Sequence, residues 1–531
     1  MNERHELDLS DIQGNVVRGY PRYGFPKARY VFYRINDAAA GRAFLQRVFP
    51  LVTSAAMRSI AGATGAKARP SATTDVAFSY AGLQALGLPE ASLRQFPEEF
   101  AVGMKARAAI LGDDGPSAPV NWDPIWQDAE PVHLMIAING ANDDAIAGRY
   151  DQISTFVAQS AGGVQLRKGH RAAGRDDMPY QEGSALYEDG EATPKEHFGY
   201  VDGISNPYFE GCGAHDSAVI GGGKLVRKGF GSELAWAPLE TGEFLLGHKD
   251  EAQEIAPAPK PALLSTNGTF MAYRKLHQNV SAFRDYLEAA GRDYPGGQEA
   301  LAAKFAGRWR NGAPAAKFPT QAEADALTEQ WHQAKLDVER STTPEARHAA
   351  AERLSKLNVE MVDFHYNDDL GGTRCPIGSH TRRANPRAAL EHGQTMAFET
   401  PSALSNRRRI LRRGLPYGDS STPGSDDHGI IFMALGASLE RQFEFVQQQW
   451  LNYGNDFRLA NEKDPLLGNH GVDAKGAPNG RMVVPAGEGA RDVPYFCSKL
   501  PRFVETRGGE YFFVPSLTAL RMIGAGSVDP T

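Results

Sequence analysis

Four times along the chain, a short run dense in aromatic and β-branched residues precedes a stretch in which apolar residues return every three or four positions. The runs are "ARYVFYRIN" (28–36), "VHLMIAING" (132–140), "GTFMAYRKL" (268–276) and "GIIFMALGA" (429–437). Each reads as a strand, and each following stretch as an amphipathic helix. In the last of these stretches, Leu439, Phe443, Val446 and Trp450 fall at spacings of 4, 3 and 4, one apolar helix face. Two strand–helix units per half predict a duplicated α+β fold, each half an antiparallel sheet with helices packed on one side. Strand–helix alternation also suits a parallel α/β sheet, but the long, irregular spacing between units leaves room for further strands.

Gly/Pro punctuation between "FEGCGAHDSAVIGGGK" and "EIAPAPKPALLS" divides the chain into an N-terminal domain (1–207), a linker region (208–262) and a C-terminal domain (263–531). "GGGK" at 221–224 lacks the spacing and the following Ser/Thr of a phosphate loop and reads as a flexible turn. Residues 320–360 differ in kind. Leu327, Trp331, Ala334 and Val338 form one helical stripe, and Thr343-Pro344 supplies a cap and first-turn proline for a second helix through Leu354 and Leu357. This predicts a charged helical hairpin inserted into the second domain, suited to packing or to contact between subunits of a homo-oligomer.

With 41% hydrophobic and 23% charged residues in 531, the composition is that of an ordinary globular protein. A net charge of -7 gives no basic face for nucleic acid. The polar opening "MNERHELDLSDIQGN" and the absence of a long apolar run predict no secretory signal and no membrane span, hence a cytoplasmic protein. Cys212, Cys375 and Cys497 form neither a CxxC pair nor a disulfide framework, so they read as buried thiols.

Three stretches could carry chemistry. "DDLGGTRCPIGSHTRRANPR" (368–387) surrounds His380 with Arg382, Arg383 and Arg387. Planar guanidiniums suit carboxylate or phosphate. A histidine in such company fits haem, a phosphorylated ligand or a salt-bridge network. In "NRRRILRRGLPYG" (406–418), strand alternation sends Arg412 to the face opposite Leu411, and an inward arginine needs an anionic or strongly polar partner. "EHFGYVDGISNP" (196–207) sets Asp202 between Gly199 and Gly203, which alone is an ordinary turn.

Together, and in this order, "GYVDG", "HTRRANPR" and "RILRRGLPYG" resemble the dye-decolorising peroxidase family, as do "DIQGNVVRGY" (11–20), "NGTFMAYRKLHQNV" (267–280) and "GRWRNGAP" (307–314). The resemblance implies two ferredoxin-like domains of the dimeric α+β barrel type and one haem b per chain. His380 resembles the axial ligand of the haem iron, and Asp202 and Arg412 the catalytic acid/base and arginine beside it. Arg387 resembles the propionate-binding arginine, with Arg382 and Gly203 placed at the cofactor. Tyr417 falls where some members carry a redox-active surface tyrosine. A carboxylate partner for His380 is expected in the unit after 429, where this chain has Ser438 and offers Glu440, Glu444 and Asp456. The implied activity is reduction of hydrogen peroxide with one-electron oxidation of aromatic donors through a ferryl state. An ionised Asp202 beside an arginine predicts activity favouring acid pH. A haem-handling protein with incidental peroxidase activity is the alternative, and it would have no use for the Asp–Arg pair.

Overall fold

The computed structural model describes residues 7–56, 70–172, 174–213, 219–227, 234–391, 402–421, 427–487 and 493–529. Its centre is one nine-stranded antiparallel sheet. The strands are β1 (Lys27–Ile35), β2 (Ala72–Phe78), β3 (Leu134–Gly140), β4 (Val164–Arg167), β5 (Gln181–Ser184), β6 (Thr269–Gln278), β7 (Leu411–Tyr417), β8 (Gly429–Gly436) and β9 (Val504–Val514). The N-terminal half runs β2-β3-β1-β4 and the C-terminal half β7-β8-β6-β9, the same ferredoxin-like order twice. All four expected strands are present, within two residues of the predicted bounds at each end.

The halves meet where β9 pairs with β2, at Phe513 opposite Phe78. Aromatic rings close this seam, with Phe96–Phe513 centroids 5.4 Å and Phe100–Phe270 centroids 5.3 Å apart. β5 adds to β1 beside β4. Its Gly183 lies so near β7 that a Cβ there would sit 3.2 Å from Leu415 Cβ. The two sheet edges therefore approach one another, although no ladder closes them into a barrel among the described residues.

Helices α1 (Ala38–Val48) and α2 (Asp143–Ala158) pack on the first half, and α3 (Val280–Gly291) follows β6. Asp37 and Asn142 cap the first two, accepting the N–H of Ala40 at 2.7 Å and of Ala145 at 2.9 Å. The predicted hairpin is α4 (Gln321–Arg340) and α5 (Pro344–Val362). Thr320 and Glu323 make a capping box for α4, and Thr343 caps α5 one residue before its proline. Leu327, Ala334 and Leu357 pack with Trp309 into a small core that ties the hairpin to the body. Among the described residues, no helix is long and apolar enough to cross a membrane.

Candidate active site

His380 opens a five-residue helix, His380–Ala384, with Ser379 at its N-cap and Asn385-Pro386 beyond its end. Thr381 Oγ1 donates to the Ala306 carbonyl at 2.6 Å and anchors this short helix. The imidazole Nδ1 is 2.9 Å from Asp464 Oδ2. Asp464 is fully buried, and its other oxygen accepts the N–H groups of Leu466 and Leu467, each at 2.8 Å. Burial opposes the charge on Asp464. The His380 ring, Arg383 and the backbone donors outweigh burial and hold its carboxyl below the ordinary value. With Nδ1 committed to a carboxylate, Nε2 is the nitrogen His380 offers to the cavity it lines.

That cavity holds about 810 Å³ of empty space and takes in His380, Arg308, Arg387, Arg409 and Arg412 among apolar walls that include Phe364, Ile410 and Phe432. A neighbouring cavity shares Ile410, Phe432, Val446, Leu451 and Leu467 with it, so the apolar wall continues. Arg387 and Arg409 are 1% and 4% exposed. Among the described residues their hydrogen bonds go to carbonyls, Arg387 to Asn385 and Gly221, Arg409 to Gly222 and Gly223, and Arg387 also lies over the rings of Phe364 and Tyr366. Burial and the nearby Arg387 push the Arg409 guanidinium down to about 9. Arg387 Nε, Arg308 Nε and Asn385 Oδ1 are buried and find no protein partner among the described residues. Unpaired buried cations on an apolar cavity call for a mostly apolar ligand that carries carboxylates. A porphyrin with two propionates fits that donor set, with His380 available to its metal.

The loop carrying Asp202 stands beside this cavity. Arg412 lies on β7, its side chain opposite in sense to buried Leu411, as strand alternation requires. Its Nη1 donates to Asp202 Oδ1 at 2.8 Å, its Nη2 to the Ile204 carbonyl at 3.1 Å, and its N–H to Asn206 Oδ1 at 2.9 Å. Arg308 is 3.9 Å from the same carboxylate oxygen. Burial opposes ionisation of Asp202, but Arg412, Arg308 and the Gly203 N–H overcome it and hold the carboxyl well below the usual carboxylate range. The side chain keeps 37% of its accessible surface and lines a second cavity of about 1030 Å³, of which Arg412 is also a wall. Arg412 therefore lines both chambers, while its partner Asp202 lines the second.

The loop itself is held by Glu196. Its carboxylate accepts the N–H groups of Phe198 and Tyr200, each at 2.9 Å, and the side-chain amide of Gln278 on β6. Gly199 and Gly203 have φ of 91° and 75°, which explains both glycines without appeal to a ligand. A Cβ on Gly203 would sit 3.3 Å from the Arg22 guanidinium. That proximity gives the glycine a structural reason of its own, and Gly203 lines the second cavity beside Asp202.

Other expectations are corrected. Arg382 is buried, but it points away from the cavity and donates to the carbonyls of Asp369, Leu370 and Cys375, since two positions along a helix from His380 turn a side chain by about 200°. The carboxylate on His380 is none of those expected after 429. Glu440 is exposed, Glu444 pairs with Arg107 at 2.5 Å, and Asp456 accepts from Trp450 Nε1 at 3.0 Å. Ser438 instead caps the following helical segment, accepting the Arg441 N–H at 3.2 Å. Tyr417 is not at the surface: it is 3% exposed, with Lys275 Nζ 4.7 Å from its ring centre. Asp464, Arg308, Arg409 and Glu196 are the residues that sequence reasoning missed. For Arg308, Arg409 and Glu196 the signal existed, because all three sit inside quoted stretches.

Comparison with known proteins agrees with this fold. Residues 11–172 match a family model described as the DyP dimeric alpha+beta barrel domain, and residues 365–461 one described as Dyp-type peroxidase, C-terminal. Peroxidase 2 of Mycetinis scorodonius is 29% identical over 97% of this chain and 87% of its own length. A solved structure of an ancestral D-type dye decolorizing peroxidase superposes with a TM-score of 0.71 at 27% identity, covering 97% of this chain and 99% of that one. A dye-decolorizing peroxidase in complex with 2,6-dimethoxyphenol gives a TM-score of 0.68 at 25% identity, covering 98% and 100%.

Proposed function

The chain belongs to the dye-decolorising peroxidase family, and from that premise we propose how its own residues divide the work of a haem-dependent peroxidase that oxidises aromatic donors. The observation that carries the proposal is the 2.8 Å Asp202–Arg412 pair at the wall of a cavity that His380, backed by Asp464, also lines.

When bound, haem b supplies the metal and the electrons that peroxide cleavage needs. His380 holds it through Nε2. Asp464 fixes the ring tautomer and orientation and raises the basicity of the ligand. Arg387 and Arg409 would take the propionates, gaining anionic partners for two buried cations whose hydrogen bonds among the described residues go to carbonyls. Asp202, kept ionised, accepts the proton from one oxygen of hydrogen peroxide and returns it to the other, so that water can leave. Arg412 stands ready for negative charge developing on the peroxide, its guanidinium already oriented by Asp202 and Ile204. The donor is a phenol or another aromatic molecule, such as the 2,6-dimethoxyphenol bound by a relative. A haem carrier would have no use for the Asp202–Arg412 pair.

The test is Asp202→Asn, which keeps shape and removes the base. Peroxide-dependent oxidation of 2,6-dimethoxyphenol is expected to fall by roughly 10²–10⁴-fold, with haem content by absorbance unchanged. Parent-like turnover in that variant would remove Asp202 from the mechanism.

A further inference from the structure

The roomiest of the cavities described lies outside the one lined by His380. It is a groove with about 1400 Å³ of empty space between the Asp202 loop and the helical hairpin. Its walls include Trp309, Trp331 on α4, Met361 on α5 and Val201. Both indole N–H groups are already used. Trp309 Nε1 donates to the Phe318 carbonyl and Trp331 Nε1 to Asn358 Oδ1, each at 2.7 Å. With its N–H engaged, half-buried Trp331 presents aromatic surface to the groove, while Trp309, buried in the hairpin core, backs it.

The groove is also close to the chemistry. Thr193, Pro194 and Lys195 line both it and the chamber containing Asp202, so one layer of chain separates the two. That layer is tied in place, since Asp202 donates its N–H to Pro194 O at 2.8 Å and Val201 its N–H to Arg310 O at 3.0 Å. On the floor, Trp309 is the chain neighbour of Arg308, which lines the His380 cavity and stands 3.9 Å from Asp202.

Its charge is selective. Three carboxylates (Glu188, Glu299, Asp325) face two cations, Lys195 and Arg310, with the imidazole of His332 beside them. Lys195 pairs with Glu188 at 2.8 Å and Arg310 with Glu299 at 2.6 Å, so Asp325 leaves the balance negative. Such a lining accepts an uncharged aromatic that can donate a hydrogen bond, and repels a sulfonate.

We propose that this groove, roofed by the hairpin, is a binding site for neutral phenolic donors, with Trp331 as its aromatic platform. The choice of donor rests on the peroxidase reading. The hairpin is then part of a substrate site as well as a packing element.

The experiment is calorimetric titration of 2,6-dimethoxyphenol into the haem-loaded protein without peroxide. Saturable binding is expected in the parent, weakened about tenfold in Trp331→Ala, since an aromatic contact is worth about one decade of affinity, and largely kept in Trp331→Phe. Benzenesulfonate is expected not to saturate. Equal affinity in parent and Trp331→Ala, loss of binding in Trp331→Phe as great as in Trp331→Ala, or a sulfonate bound as tightly as the phenol would each overturn the inference. Failure of the two readings is separable. Binding that follows Trp331 in a protein without turnover sinks the peroxidase reading and leaves the groove standing. Full turnover with binding indifferent to Trp331 does the reverse.

Discussion

Replacing Arg412 by Leu should move the acid limb of the peroxide reaction upward in pH. In the parent, Arg412 Nη1 is 2.8 Å from Asp202 Oδ1 and Arg308 is 3.9 Å from it. At an effective dielectric constant of 20, the closer pair is worth about 6 kcal/mol by Coulomb's law. The two side chains keep 29% and 37% of their surface, so screening is substantial. Measured values for charged hydrogen bonds bring the figure down to about 1.5–3 kcal/mol. At 1.36 kcal/mol per pK unit, that is a rise of about 1 to 2 in the Asp202 pKa. Burial, which works against the charge in the parent, acts in the same direction once Arg412 is gone, and Arg308 keeps the carboxyl from climbing further. The parent carboxyl titrates below the unfolded value near ~4, so its ionised form adds stability above that pH and loses it as pH falls through the folded pKa. The assay is kcat/KM for peroxide against pH, which reports the free enzyme's base. In Arg412→Leu the limb should shift up by about 1 to 2 pH units and the plateau drop by about 10²–10³-fold. An acid limb that stays in place, or moves down, refutes the pairing as the cause of the ionisation.

Three other outcomes are expected. Asp464→Asn keeps an acceptor for the Leu466 and Leu467 N–H groups but removes the charge on His380 Nδ1, so haem transfer to a competing globin should reveal affinity lower by about 10–100-fold; unchanged transfer would contradict the role given to Asp464. Arg387→Leu removes a buried cation that carbonyls and the rings of Phe364 and Tyr366 hold without an anion among the described residues, and should raise or preserve the melting temperature of the haem-free protein while lowering that of the loaded one; shifts of the same sign and size in both forms would show that Arg387 does not serve the propionates. Tyr417→Phe should leave dye turnover unchanged, because the ring is buried rather than at the surface, and a large loss would restore an electron-transfer role.

The repeated strand–helix unit was legible because its signal is local. A run dense in aromatic and β-branched residues and a 3.6-period run each fit within a dozen residues, whereas the order of the strands in each half came only from the fold. The hairpin was legible for the same reason, down to Thr343-Pro344. His380, Asp202 and Arg412 could be named from their motifs, yet only the fold brings Asp202 and Arg412, 210 residues apart, to 2.8 Å.

The residues that were missed share a different property: their role depends on what is buried around them, which no window of sequence carries. Asp464 sits in "EKDPLLGN", where an aspartate before a proline reads as a turn, and it is a turn, since its Oδ1 accepts the N–H groups two and three residues on. Only Oδ2 is left for His380, and that second use is invisible without the distance. The glycines of "GGGK" make the same point from the opposite side. Calling them a flexible turn overlooked that Gly221, Gly222 and Gly223 are buried. Their carbonyls are what Arg387 and Arg409 hold on to. Two guanidiniums kept in an apolar wall by neutral oxygens are poised for an anion rather than satisfied by one. That poise, more than the presence of any single motif, distinguishes a site built around carboxylates from the salt-bridge network that the same arginines could have formed.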